Sequence, residues 1–113
     1  MARYWEWDAP FTIHPEEAAL LIIDMQTGFT QPDGPLYTPQ SSEQLPTVAA
    51  LKKFCNEKGI PVFLSIFAQD VDFHNDHYWF RNKQRGLLTE DGGCKFKPGS
   101  PECQIDPALA PIE

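Results

Sequence analysis

Asp24 is the first residue of this chain whose type and position suit chemistry. Six apolar residues, Ala18-Ala19-Leu20-Leu21-Ile22-Ile23, run straight into it. A run of that length without polar alternation reads as a parallel strand buried on both faces, which puts the carboxylate where the strand leaves the sheet. In open α/β sheets, ligands bind in the crevice at the carboxyl ends of the strands. A carboxylate there is costly to bury unless something pairs with it or uses it. Spacing alone leaves two readings open: Asp24 caps a turn through backbone N–H groups, or it acts on a substrate. Gly28 lets the chain turn soon after.

A second group is Asp70-Val71-Asp72-Phe73-His74-Asn75-Asp76-His77-Tyr78-Trp79-Phe80-Arg81. Asp72, His74 and His77 are candidate metal ligands, since neutral imidazole and carboxylate suit zinc, iron or manganese. The simpler reading, a polar solvated loop with stacked aromatics and no metal, is preferred. Arg81 either holds a substrate carboxylate or pairs with Asp76. Cys55, Cys94 and Cys103 are odd in number and show no CxxC spacing, so they form neither a disulfide framework nor a zinc knuckle.

The elements that position these residues follow from patterning. Residues 1 to 17 read as an N-terminal arm whose Trp5, Trp7 and Phe11 need something to pack on. A strand over about residues 18 to 24 is followed by a long loop at 30 to 41, rich in Pro and Gly. A helix is expected from Glu43 to Lys58, with Ser42 as N-cap and Pro46 in the first turn. Leu45, Val48, Leu51 (or Ala49) and Cys55 form its apolar stripe, and Gly59 its stop. Ile60-Pro61-Val62-Phe63-Leu64-Ser65-Ile66-Phe67 is the second buried strand, which completes a right-handed βαβ unit. Residues 68 to 113 show no strong period and read mostly as loop, with a short helix near Ala108. Lys83, Arg85, Lys95 and Lys97 form an ordinary solvated face.

The totals set outer bounds. At 113 residues and 42% hydrophobic, the chain makes one small domain with a packed core. Its net charge of -7 argues against nucleic acid or an anionic membrane as partner. The aromatic, charged start is unlike a signal peptide, and no apolar run suits a bilayer span, so a cytoplasmic protein is expected. Two strands and one good helix cannot cover both faces of a parallel sheet. The remaining strands are therefore expected from another chain or from sequence beyond residue 113.

An apolar strand ending in Asp is also the start of the haloacid-dehalogenase-like phosphatases, but those need a second carboxylate two residues on. Gln26 stands there, which removes that reading. Ala19-Leu20-Leu21-Ile22-Ile23-Asp24-Met25-Gln26-Thr27-Gly28-Phe29 instead resembles the first strand motif of the isochorismatase-like cysteine hydrolases. Asn56-Glu57-Lys58-Gly59-Ile60-Pro61-Val62 is similar to the end of their first helix. Gly99-Ser100-Pro101 through Asp106-Pro107-Ala108-Leu109-Ala110-Pro111 is similar to the segment before their next strand. The superfamily includes nicotinamidases and the N-carbamoylsarcosine and biuret amidohydrolases.

The resemblance implies a three-layer α/β/α Rossmann-like parallel sheet, of which this chain supplies the first βαβ unit and the loops after it. It implies one domain over 1–113, incomplete at its C-terminus. It also implies an Asp–Lys–Cys triad that hydrolyses a small amide or carbamoyl substrate through a thioester, with Asp24 as general base. Phe29 and Trp79 fall at positions that often line the substrate pocket; Gln26, counted with them, supports the strand-end loop. Nicotinamidases hold a metal with Asp and His from the region of Asp72, His74 and His77, a pattern only partly met here, so no cofactor is expected.

In the family the Lys and Cys follow the Asp106–Pro111-like segment. Lys95, Lys97, Cys94 and Cys103 precede it, so none takes a triad role, and both partners are expected outside this chain. The alternatives are isochorismatase-type vinyl-ether hydrolysis, which keeps the Asp and Lys but not the Cys, and a truncated association module without catalysis. A homo-oligomer or a complementing C-terminal segment is the expected partner.

Overall fold

The computed structural model describes residues 11–69, 76–91 and 93–111, with the side chains of 76–79 outside that description. The arm residues Trp5 and Trp7 and the metal candidates Asp72 and His74 therefore lie outside the described residues. Two strands, β1 (Leu20–Ile23) and β2 (Val62–Ser65), pair in parallel with Leu20 opposite Val62 and Ile23 opposite Ser65. The helices are α1 (Thr27–Thr30), α2 (Pro39–Glu57) and α3 (Asp76–Gln84), with 3-10 turns at Pro15–Glu17, Pro101–Cys103 and Pro107–Leu109. The βαβ unit and the α/β class stand as expected. Among the described residues, no helix is long and apolar enough to cross a membrane.

The end of α2 follows its local signals closely. Gly59 takes φ +71°, the Ile60 N–H reaches the Cys55 carbonyl at 2.8 Å, and the Gly59 N–H reaches that of Asn56 at 3.3 Å. This is a Schellman cap, which a residue without a Cβ adopts at no steric cost. The start differs from the sequence reading. α2 begins at Pro39 after Thr38, not at Glu43 after Ser42. Pro39 stands at the helix start, where a missing N–H is harmless, so Pro46 falls in the interior and costs one intrahelical bond.

The inward stripe of α2 also shifts. Leu51 is 47% exposed, whereas Lys52 is 8% and Cys55 5% exposed. Ala49, half-buried, takes the place open to either, and Lys52 joins the buried face. Its Nζ donates to the Ala110 carbonyl at 2.8 Å, so the stem packs while the ammonium ties α2 to the end of the 107–109 turn.

Among the described residues, the sheet is covered on one side. Ile22 is buried and Leu20, Val62 and Leu64 are half-buried, and α2 packs against both strands. Leu21 and Phe63, opposite each other in the register, are 57% and 59% exposed, and Ile23 is 60% exposed. The main core sits elsewhere, beyond the carboxyl ends of the strands. Leu87, Phe96 and Cys103 are its buried centre, with Phe29, Leu36 and Phe67 packed around them. The described residues after Phe67 are therefore less loop-like than their sequence: α3, with no clean apolar stripe, is helical, and the short helix near Ala108 is a 3-10 turn.

Gly28 is needed for closeness rather than for a turn. It lies inside α1, and a Cβ there would press into Phe96 Cε1 and sit 2.8 Å from the Glu102 carbonyl oxygen. Phe96 is wholly buried with φ +66°, so its ring has little room to retreat. Gly28→Ala should therefore destabilise the chain by about 1–3 kcal/mol, the usual cost of overpacking a core. Urea denaturation would show this as a lower midpoint at unchanged slope; an unshifted midpoint would mean that the Phe96 ring yields freely.

Candidate active site at the carboxyl end of the sheet

Asp24 follows the last residue of β1 and is half-buried. Its N–H donates to the Ser65 carbonyl at 3.1 Å, which extends the ladder by one step. It then takes φ +58°, a left-handed conformation that Asp tolerates better than most residues. The chain thus swings out of the sheet at the carboxylate itself. The Gln26 N–H closes back onto the Asp24 carbonyl at 2.9 Å, and the Ser65 hydroxyl lies 3.5 Å from Asp24 Oδ1.

Gln26 supports this edge from below. It is wholly buried. Its Nε2 donates to the carbonyls of Phe67 and Glu102, each at 2.9 Å, and its Oε1 accepts the Phe67 N–H at 2.6 Å. Both amide hydrogens are spent on backbone, so the side chain ties the exit of β2 to the 101–103 turn. Phe29 is half-buried, stacked on Phe96 at 5.2 Å and tilted against Phe67 at 6.2 Å between ring centroids. Arg81 is exposed in the last turn of α3. His77 and Trp79 lie in α3, but their side chains are outside the described residues. Among the described residues, no group of three or more His, Cys, Asp or Glu side chains is placed to hold a metal.

The sequence reading passed over a second carboxylate. Asp106 is 2% exposed and accepts from Thr30 Oγ1 at 2.6 Å, Gln31 Nε2 at 2.7 Å and the Ala108 N–H at 2.9 Å. Its own N–H donates to the Met25 carbonyl at 3.0 Å, next to an antiparallel bridge between Gln26 and Ile105. The Asp-Pro step was a fair local signal, since Asp106 caps the 3-10 turn that Pro107 opens. Its partners at the end of α1, Thr30 and the capping Gln31, were not visible, because they lie 76 and 75 residues away. Glu102 plays a similar part, accepting the Phe96 N–H at 2.7 Å.

The segment from 18 to 113 matches the family model described as Isochorismatase domain. The chain belongs to the isochorismatase family. No curated protein matches it. Family membership makes it part of a superfamily of hydrolases, with Asp24 at the edge where an open α/β sheet binds its ligand. In this isochorismatase-family chain the three thiols, Cys55, Cys94 and Cys103, are all buried.

Asp106 makes the site's scaffold sensitive to acid. Burial raises its pKa, but the bonds from Thr30, Ala108 and Gln31 outweigh that and hold it below the ordinary 3.8. A depressed carboxylate stabilises the fold fully above its unfolded value and loses that contribution as pH falls through the folded one. The urea midpoint should therefore start to drop at about pH 5 and keep dropping below 3.8, and Asp106→Asn should flatten part of that drop. A variant whose profile still runs parallel to the wild type would show that Asp106 carries none of it.

Proposed function

We propose that this chain is part of a cysteine-dependent hydrolase of small amides or carbamoyl compounds, with Asp24 as the general base. The observation that carries this reading is the half-buried carboxylate at the carboxyl end of β1, in a chain of the isochorismatase family. The Lys and the nucleophilic Cys come from outside residues 1–113. Asp24 takes the thiol proton, and the neighbouring ammonium favours the thiolate. The thiolate adds to the amide carbonyl and the amine leaves with the proton held by Asp24. Water then cleaves the thioester. Phe29, Trp79 and Arg81 are the proposed contacts with substrate, and Gln26 holds the loop that bears Asp24.

Asp24→Asn is the clean test, because Asn also tolerates the left-handed backbone there. In the enzyme that carries the Lys and Cys, ammonia release from small primary amides and N-carbamoyl compounds should fall by roughly 10²–10⁴-fold. A near-normal rate would return Asp24 to turn capping. Turnover that survives loss of the Cys, without ammonia release, would favour vinyl-ether hydrolysis instead.

The bare sheet face fits a further helix-bearing segment of the same fold, since parallel sheets are covered on both faces and α2 covers one. Without that segment, copies of residues 1–113 should associate through Leu21, Ile23 and Phe63. Phe63→Lys, at an exposed site, should shift sedimentation towards the monomer. A wild-type chain that stays a dispersed monomer would overturn this.

A further inference from the structure

We infer that Ser65 is a positioning residue that orients the Asp24 carboxylate and leaves Oδ2 as the oxygen that takes the proton. The inference deepens the proposed function and rests on the reading of Asp24 as general base. Ser65 is the one hydroxyl in the run Ile60 to Phe67, which is otherwise apolar apart from its backbone. A hydroxyl at the end of a strand flanked by Leu64 and Ile66 needs a partner. Asp24 Oδ1 is that partner, at 3.5 Å. The contact is long for an O–H···O bond, as catalytic hydrogen bonds often are before substrate tightens them.

Two further contacts make the placement hard to avoid. Ser65 pairs with Ile23 in the register, and its carbonyl accepts the Asp24 N–H at 3.1 Å. The same residue therefore fixes Asp24 through backbone and side chain together. Donation to Oδ1 favours one orientation of the carboxylate, which favours proton transfer. The contact falls where the chain turns out of the sheet, at φ +58°.

The test reads the Asp24 side chain directly. In the 113-residue chain labelled with ¹³C and ¹⁵N, three-bond couplings to Asp24 Cγ should report one χ1 rotamer. They should average in Ser65→Ala and return in Ser65→Thr, which keeps the hydroxyl. Wild-type couplings in Ser65→Ala would overturn the inference. The wild-type chain adds an arm that needs no variant: exchange of the Ser65 hydroxyl from H to D should shift the Asp24 Cγ resonance, and no shift would count against it. In the complete enzyme, assayed by ammonia release, Ser65→Ala should lower kcat about tenfold with KM little changed, and Ser65→Thr should restore it. Should Asp24→Asn abolish turnover while Ser65→Ala leaves kcat intact, the Ser65 inference fails and the base stands. Should Asp24→Asn leave turnover intact, the base reading fails, while the couplings still decide whether Ser65 orients the side chain.

Discussion

Two parallel strands that end side by side leave their backbone groups facing an edge where the chain must scatter into loops, and Gln26 resolves that problem here. Its amide gives two hydrogens to the carbonyls of Phe67 and Glu102 and takes one from the Phe67 N–H. A buried backbone N–H or carbonyl left unpaired costs about 1–3 kcal/mol, so three such groups meeting at one side chain are a heavy dependence. The segment after β2 and the 101–103 turn share no backbone ladder with each other at this point. The Gln26 side chain stands in for it. With every member paired, the cluster specifies one geometry for the loop that follows Asp24.

Asp24 depends on that geometry because its own backbone is unusual. The left-handed φ turns the chain out of the sheet within a single residue, so any drift of the Gln26 loop would carry the carboxylate with it. Residues 101–110 brace the same loop from the other side. Thr27 Oγ1 donates to the Pro101 carbonyl at 2.6 Å, and Asp106 links α1 to the 107–109 turn. Lys52 then fastens the end of that segment to α2. The described residues from β1 to Pro111 are thus closed around the strand ends, by polar bonds as much as by the Phe29, Phe67 and Phe96 rings.

The parts legible in sequence are those whose causes are local. The apolar run into Asp24 marks its own strand, and Lys58-Gly59-Ile60 marks the end of α2 through a cap that needs only neighbouring residues. The start of α2 misled because both Pro39 and Pro46 suit a first turn. Lys52 was hidden for a related reason: periodicity credits Leu51 or Ala49 and discounts an ammonium, though the buried face runs through its position. Phe96 and Asp106 were beyond reach, since Phe96 is held by a glycine 68 positions earlier in the chain and Asp106 by Thr30 and Gln31. α3 escaped because His, Tyr, Trp, Phe, Arg and Asn in succession leave no stripe of period 3.6 to read.

The location of the core decides how independent the site is. Most small α/β units bury their largest side chains between sheet and helix, so anything that uncovers the sheet also loosens its ends. Here the wholly buried Phe96 and Gln26 lie past the strand ends, while Leu21, Ile23 and Phe63 on the open face are more than half exposed. Covering that face adds burial on the order of 25 cal/mol per Å² of apolar surface, but it touches none of the bonds that hold Gln26 or Asp106. The carboxylate edge is built from within the chain, by contacts that span residues 24 to 110. The open sheet face is apolar surface that these contacts leave aside. Geometry at Asp24 and coverage of the sheet are therefore separable properties, one fixed by polar closure and the other by apolar surface.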